Sequence, residues 1–148
     1  MEITFQPVDE SSLARAREFS SELYRREGPY RPDEGRNRAL AELAAHPELG
    51  GAWMILADGA VAGYVALTAC YSLEFHGRFG LLDELYIDEE WRGKGLGTAA
   101  LAFIDEQCRA RGWEAVRLEV GLLNLRAQEI YLKAGYRAED RHLMTRWV

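Results

Sequence analysis

Arg92-Gly93-Lys94-Gly95-Leu96-Gly97 brings two full positive charges and three glycines into six residues. An apolar, strand-like segment precedes it and an amphipathic helical pattern follows it. Strand, glycine-rich loop, helix is a way of holding a phosphate. Glycine lets the backbone approach a ligand with no Cβ in between, and the first amides of the following helix are unpaired donors at the positive end of its dipole. The competing reading of the same six residues is an ordinary strand-to-helix turn with solvated basic side chains.

The elements around this loop read as one α/β domain. Ile3 to Val8 is a short strand, and Ser11 or Ser12 can cap a helix that runs to about Arg26. The breaker-rich stretch Gly28 to Asp33 follows, and Asp33 opens a second helix to about His46. Ala52 to Ala57 and Val61 to Thr68 flank Asp58-Gly59, a hairpin signal because that pair tolerates positive φ. His76-Gly77-Arg78 is a second turn, leading into the strand Phe79 to Ile87. A helix is expected from Leu96 to about Arg111, a strand from Val116 to Val120, a helix from Asn124 to Ala134, and one or two strands in the tail from Tyr136 to Val148. Phe79 to Val120 is a strand-helix-strand crossover, which demands a parallel pair of strands with a right-handed connection. The sheet is therefore mixed.

Composition narrows the partners. A chain of 148 residues suits a single domain, and 48% hydrophobic with 28% charged residues belongs to a soluble globular protein. No apolar run approaches the roughly 20 residues that cross a bilayer, so no membrane partner is expected. The N-terminus has no basic segment followed by an apolar one, and the cytoplasm is the expected compartment. A net charge of −6 opposes nucleic acid as a partner. Cys70 and Cys108 sit in apolar stretches and read as thiols rather than as a disulfide. His46, His76 and His142 have no metal spacing, so no metal is expected.

Two other phosphate-binding patterns compete for the loop. Gly95-Leu96-Gly97-Thr98-Ala99-Ala100 matches a dinucleotide fingerprint, with Glu119 placed 22 residues beyond Gly97 as the ribose-binding acid. That fingerprint wants glycine directly after the strand, whereas seven residues, Asp88 to Lys94, separate Ile87 from Gly95. A P-loop is excluded because no glycine stands five residues before a Gly-Lys-Ser or Gly-Lys-Thr.

Arg92, Gly95 and Gly97 after the strand Leu81 to Ile87 form one block; Leu118-Glu119-Val120, Asn124, Ala127, Tyr131, Gly135 and Tyr136 form a second. In these two blocks the chain resembles the GNAT superfamily of acyl-CoA-dependent N-acetyltransferases, most closely from about Phe79 to Tyr136. The resemblance implies a GNAT-like α/β fold with a mixed, mostly antiparallel sheet, a central strand-helix-strand crossover and helices on both faces. It implies acetyl-CoA as acyl donor, held by Arg92, Gly93, Lys94, Gly95, Leu96, Gly97 and Thr98, with Asn124 contacting it as well as capping its helix. The strand Leu85-Tyr86-Ile87 is expected to part from its parallel neighbour near Val120 and expose backbone groups to the pantetheine arm, with an N–H near Leu85 or Tyr86 as the oxyanion donor.

Tyr131 occupies the family's general-acid position, and its phenol has a reference pKa of about 10. Its bland reading is a core residue on the apolar face of Ala127, Ile130 and Ala134. A primary amine must lose a proton before it attacks, and a carboxylate is the family's usual means. Glu84 is the first candidate and Glu119 the second; each also reads as a solvated strand-end charge. Strand alternation puts Asp83 on the face opposite Glu84. The acceptor is a small-molecule amine or a protein or peptide amine, and homodimers are common in the family. Alternatives are a catalytically weak acyl-CoA-binding regulatory module of this fold and a dinucleotide-binding oxidoreductase.

Overall fold

The hairpin turn at Asp58-Gly59 has φ of 49° and 80°, the left-handed pair that a two-residue turn between twisted strands requires. It joins β2 (Gly50–Ala57) to β3 (Ala60–Ser72) in a computed structural model that describes residues 1–27 and 31–148. Of the breaker-rich stretch expected after the first helix, residues 28–30 lie outside those described. The remaining elements are β1 (Ile3–Pro7), α1 (Leu13–Glu27), α2 (Asp33–Ala45), β4 (Gly77–Ile87), α3 (Leu96–Ala110), β5 (Val116–Leu118) and α4 (Leu125–Lys133).

The strands form one sheet in the order β1-β2-β3-β4-β5, antiparallel except for the parallel pair β4 and β5. The fold is thus the mixed, mostly antiparallel one expected, with the crossover through α3 closing the β5 side. Both faces are covered, so β2 alternates between two apolar layers. Trp53 and Ile55 meet α3 residues Leu96, Leu101 and Ile104; Met54 and Leu56 meet Ala16 and Phe19 of α1 and Leu40 and Leu43 of α2.

One residue changes the phase of β4. The β3 register runs Ala66↔Glu84 and then Leu67↔Leu82, so Asp83 is the extra residue of a β-bulge. Before it, Leu82 faces the α3 layer; after it, Glu84 and Tyr86 face the α1/α2 layer while Leu85 and Ile87 pack on the α3 side. Gly63 of β3 lies opposite Ile87, and a Cβ there would stand 2.2 Å from the Tyr86 carbonyl oxygen, so only glycine admits this close approach.

Several expectations need correction. Asp9 organises the start of α1: its carboxylate accepts from the Ser11 and Ser12 amides while Ser12 Oγ accepts from the Asp9 N–H, a reciprocal cap. β5 stops at Leu118 rather than Val120, and the chain turns through Gly121, whose carbonyl accepts from the Asn124 N–H. The tail forms no strand among the described residues. A strand needs a ladder to join, and β5 offers three residues. The tail is held instead by an Arg141–Glu74 ion pair at 2.8 Å and by Arg31 stacked 4.1 Å from the Trp147 ring, with Leu143 and Met144 exposed.

Gly63→Ala should destabilise the fold by about 1–3 kcal/mol, since the new methyl meets backbone. Gly97→Ala, whose Cβ would meet nothing within 4 Å, should stay within about 0.5 kcal/mol of the parent. Urea denaturation of the two variants checks the contrast, and equal losses would contradict it.

Candidate active site

Asp88 ends β4 and turns the chain: its Oδ1 accepts from the Glu89 N–H, and a single 3-10 turn, Glu89–Trp91, follows. Arg92 then reaches back, its Nε donating to the Ile87 carbonyl at 2.9 Å with the guanidinium 5.7 Å from the Tyr86 ring centre. This contact pins the loop to the end of the strand. Gly93 and Gly95 take φ of 72° and 87°, and α3 starts directly after Gly95 with no side-chain cap. The Leu96, Gly97 and Thr98 amides have no acceptor among the described residues. The Lys94 ammonium sits 4.8 Å from the Trp91 ring centre, and Arg126 of α4 comes within 3.5 Å of where a Gly93 Cβ would stand. Open space at Gly97, unpaired amides and basic side chains at a helix start form an anion cradle.

A groove of about 620 Å³ runs beside the loop between α1 and the end of β4. On its wall Arg15 pairs with Asp88 at 3.2 Å and Arg26 with Glu89 at 2.7 Å, while Arg17 donates to the Asn37 carbonyl at 3.1 Å and its buried Nε has no partner among the described residues.

The pairing of β4 with β5 ends at Leu82↔Leu118. Beyond that rung Leu85, Tyr86 and Ile87 continue β4 without a partner strand on that side. Tyr86 is buried and stacks on Phe19 at 5.1 Å, while Leu85 and Ile87 are half-buried. Glu119 follows β5 directly and is exposed.

Glu84 is 6% exposed, between α1 and β3. Ser20 Oγ donates to its Oε1 at 2.7 Å, and the Tyr64 phenol donates to its Oε2 in a short hydrogen bond. Burial pushes the Glu84 carboxyl above the ordinary carboxylate range, and these two hydrogen bonds pull against that shift. Burial likewise pushes the Tyr64 phenol well up, and the Glu84 charge adds to it, so the proton of this pair stays on the phenol. Asp83 reaches solvent at the bulge, yet desolvation raises its pKa and the Glu119 charge raises it further. Tyr24 of α1 is raised by burial and then by the charges of Glu84 and Asp83, with Glu119 contributing and Arg36 opposing. The three carboxylates therefore share one electrostatic neighbourhood beside the unpaired end of β4.

Tyr131 lies elsewhere. It packs half-buried against the α3-side core, edge-on to Tyr136 at 5.9 Å, whereas Glu84 lies on the α1/α2 side. The proposed acid and the first candidate base thus pack into the cores on opposite faces of the sheet. Asn124 caps α4 through Oδ1, which accepts from the Ala127 N–H at 3.2 Å. Sequence reasoning missed Ser20, Tyr64, Arg36 and Arg126 as members of the site; the available signal was Ser20, a hydroxyl on the apolar face of α1.

Residues 15–136 match the acetyltransferase (GNAT) family. An aminoalkylphosphonate N-acetyltransferase of Salmonella typhimurium is 29% identical over 84 residues, 57% of this chain and 54% of that protein. An uncharacterized N-acetyltransferase of Methanocaldococcus jannaschii is 33% identical over 67 residues, 45% of this chain and 29% of that protein. The matched regions thus span about half or less of these curated relatives. Among solved structures, an integron cassette protein from a salt-marsh metagenome superposes with a TM-score of 0.82 at 28% identity, over 97% of this chain and 90% of the other. A predicted acetyltransferase of Clostridium acetobutylicum with acetyl-CoA superposes at 0.81 over 98% and 96% of the two chains, and at 17% identity that likeness speaks for the fold alone. With the family matched across both the anion cradle and the α4 block, the chain belongs to the acetyltransferase (GNAT) family.

Proposed function

We propose that this chain is an N-acetyltransferase that passes an acetyl group from acetyl-CoA directly to a primary amine, both bound at once. The observation that carries the reading is the cradle of unpaired Leu96, Gly97 and Thr98 amides directly after the unpaired end of β4. The cradle fits a diphosphate, and the free flank of Leu85 to Ile87 fits an extended amide-bearing arm. Acetyl-CoA supplies a thioester whose carbonyl carbon is open to a neutral amine.

In this reading the loop amides bind the diphosphate, with Arg126 and Lys94 adding charge at its edge. Arg92 keeps the loop on β4 through Ile87. A backbone N–H near Leu85 or Tyr86 faces the developing oxyanion. Glu84 takes the ammonium proton on the α1/α2 side, with Glu119 the exposed alternative, and Tyr131 protonates the leaving sulfur from the α3 side. The acceptor class stays as broad as a small-molecule or protein amine. The Salmonella relative acts on aminoalkylphosphonates by its name, so such compounds belong in the amine panel.

Acetyl-CoA at 100 times its dissociation constant should stabilise the protein by about 2.7 kcal/mol, a rise in Tm of roughly 5–10 °C for a domain of this size. NADH should give no rise; a rise with NADH and none with CoA would point to the dinucleotide alternative. Gly97→Val should fold and lose the rise, because its side chain fills the open side of the cradle.

Tyr131→Phe keeps the ring and removes the hydroxyl. Turnover, followed as thiol release across the amine panel, should fall by roughly 10² to 10⁴ with CoA affinity nearly unchanged. Turnover equal to the parent's would leave Tyr131 a packing residue.

The base must be ionised to act, so activity should rise with pH through its pKa, and burial places the Glu84 limb above the ordinary carboxylate range. Glu84→Gln should remove this limb, with part of the lost rate returning at high pH where more amine is neutral; Glu119→Gln should keep the limb. The reverse pattern would assign the base to Glu119.

A further inference from the structure

We propose that Arg36, at the start of α2, is a positioning residue that orients Ser20 so that Glu84 is held as an ionised, two-bond acceptor under α1. The inference rests on the reading of Glu84 as the base. Arg36 Nε donates to Ser20 Oγ at 3.1 Å, and Ser20 Oγ donates to Glu84 Oε1 at 2.7 Å. A guanidinium has donors only, and a serine hydroxyl has one hydrogen. With Arg36 occupying an acceptor site of the Ser20 oxygen, the Ser20 hydrogen is directed at Glu84. Tyr64 supplies its own hydrogen to the other carboxylate oxygen. Two donors aimed at one buried carboxyl favour its charged form, and a protonated Glu84 would have to turn one of them away.

Arg36 is itself firmly held. Its other donors reach Ser21 Oγ at 3.2 Å and Asp33 Oδ1 at 2.5 Å, the plane stacks 4.3 Å from the Tyr24 ring centre, and the side chain is 15% exposed. The groups that act on Glu84 are therefore Ser20 and Tyr24 from α1, Arg36 with Asp33 behind it from α2, Tyr64 from β3, Asp83 from β4, and Glu119 beyond β5 through Asp83 and Tyr24. Of these, Arg36 is the cation, and it opposes the burial and the Asp83 charge that favour the protonated form. Its place as the fourth residue of α2 ties the ionisation of a buried carboxylate on β4 to the seating of α2 on α1.

The test is the titration of the Glu84 carboxyl carbon by NMR in the full chain, assigned with Glu84→Gln, which needs no amine. Removing the guanidinium in Arg36→Met should tighten proton binding at Glu84 by roughly two- to fivefold, seen as an upward-shifted midpoint. Ser20→Ala should shift it in the same direction, the double variant should add little to either single one, and Arg36→Lys, which keeps the charge, should return the midpoint toward the parent. The acid limb of kcat/KM with acetyl-CoA and the most active amine of the panel should follow the same order. A midpoint unchanged in both Arg36→Met and Ser20→Ala, even with a lowered Tm, would reduce Arg36 to a helix clamp and overturn the proposal. Ser20→Ala removes one oxygen and decides the matter should Arg36→Met not fold. A limb that survives Glu84→Gln would overturn the base assignment instead, while the carboxyl titrations judge Arg36 separately.

Discussion

A buried carboxyl has to be given donors, and in this chain that requirement links four elements, β4 with β3, α1 and α2. Glu84 of β4 meets Tyr64 of β3 across one ladder and Ser20 of α1 across a layer, and Arg36 of α2 completes the set from behind. The bulge at Asp83 is what makes the arrangement reachable. Without the extra residue Glu84 would share its face with neither Tyr64 nor α1, and the apolar Leu85 would meet the hydroxyls. The same change of phase turns Tyr86 onto Phe19 and toward Arg92, so the geometry of the carboxylate and the footing of the glycine loop have one origin.

The division of labour between the two faces follows from burial on both sides of the sheet. The α3 side is almost wholly apolar, with Leu82, Leu96, Ile104 and Trp113 at its centre, and Tyr131 and Tyr136 pack phenols against it. The α1/α2 side carries the ionisable groups, with Tyr24, Tyr64, Asp83, Glu84 and Arg36 within mutual electrostatic reach. In the proposed reaction a thioester donor and an ammonium-bearing acceptor would have opposite preferences for such surroundings.

Much of this was legible in the residues alone. The Asp58-Gly59 turn, the start of α2 at Asp33, the Asn124 cap and the glycine loop each depend on local backbone chemistry that a few neighbouring residues determine. The family resemblance added Tyr131 and the parting of β4 from β5. The bulge was not legible, because Leu82-Asp83-Glu84 reads as plain alternation until the register with β3 is known. Ser20 and Tyr64 escaped for a related reason: each is an ordinary residue of its own element, and a partner 64 or 20 positions away makes it part of the site. The tail misled because one or two strands were expected over Tyr136 to Val148, whereas strand formation depends on an edge to join.

The three-rung seam between β4 and β5 sets how the sheet comes apart. A ladder of ten register pairs joins β3 to β4, but Gly80, Leu81 and Leu82 alone pair with β5. Cooperative opening units follow such differences in bonding, so β5 with α4 should open at lower free energy than the antiparallel strands β1 to β4. On that argument amide hydrogens of Arg117 and Leu118 should exchange faster than those of Val65 and Leu67. A ligand arm lying along Leu85 to Ile87 would lengthen the seam from one side, and slower exchange in β5 would report its arrival from residues that never touch it.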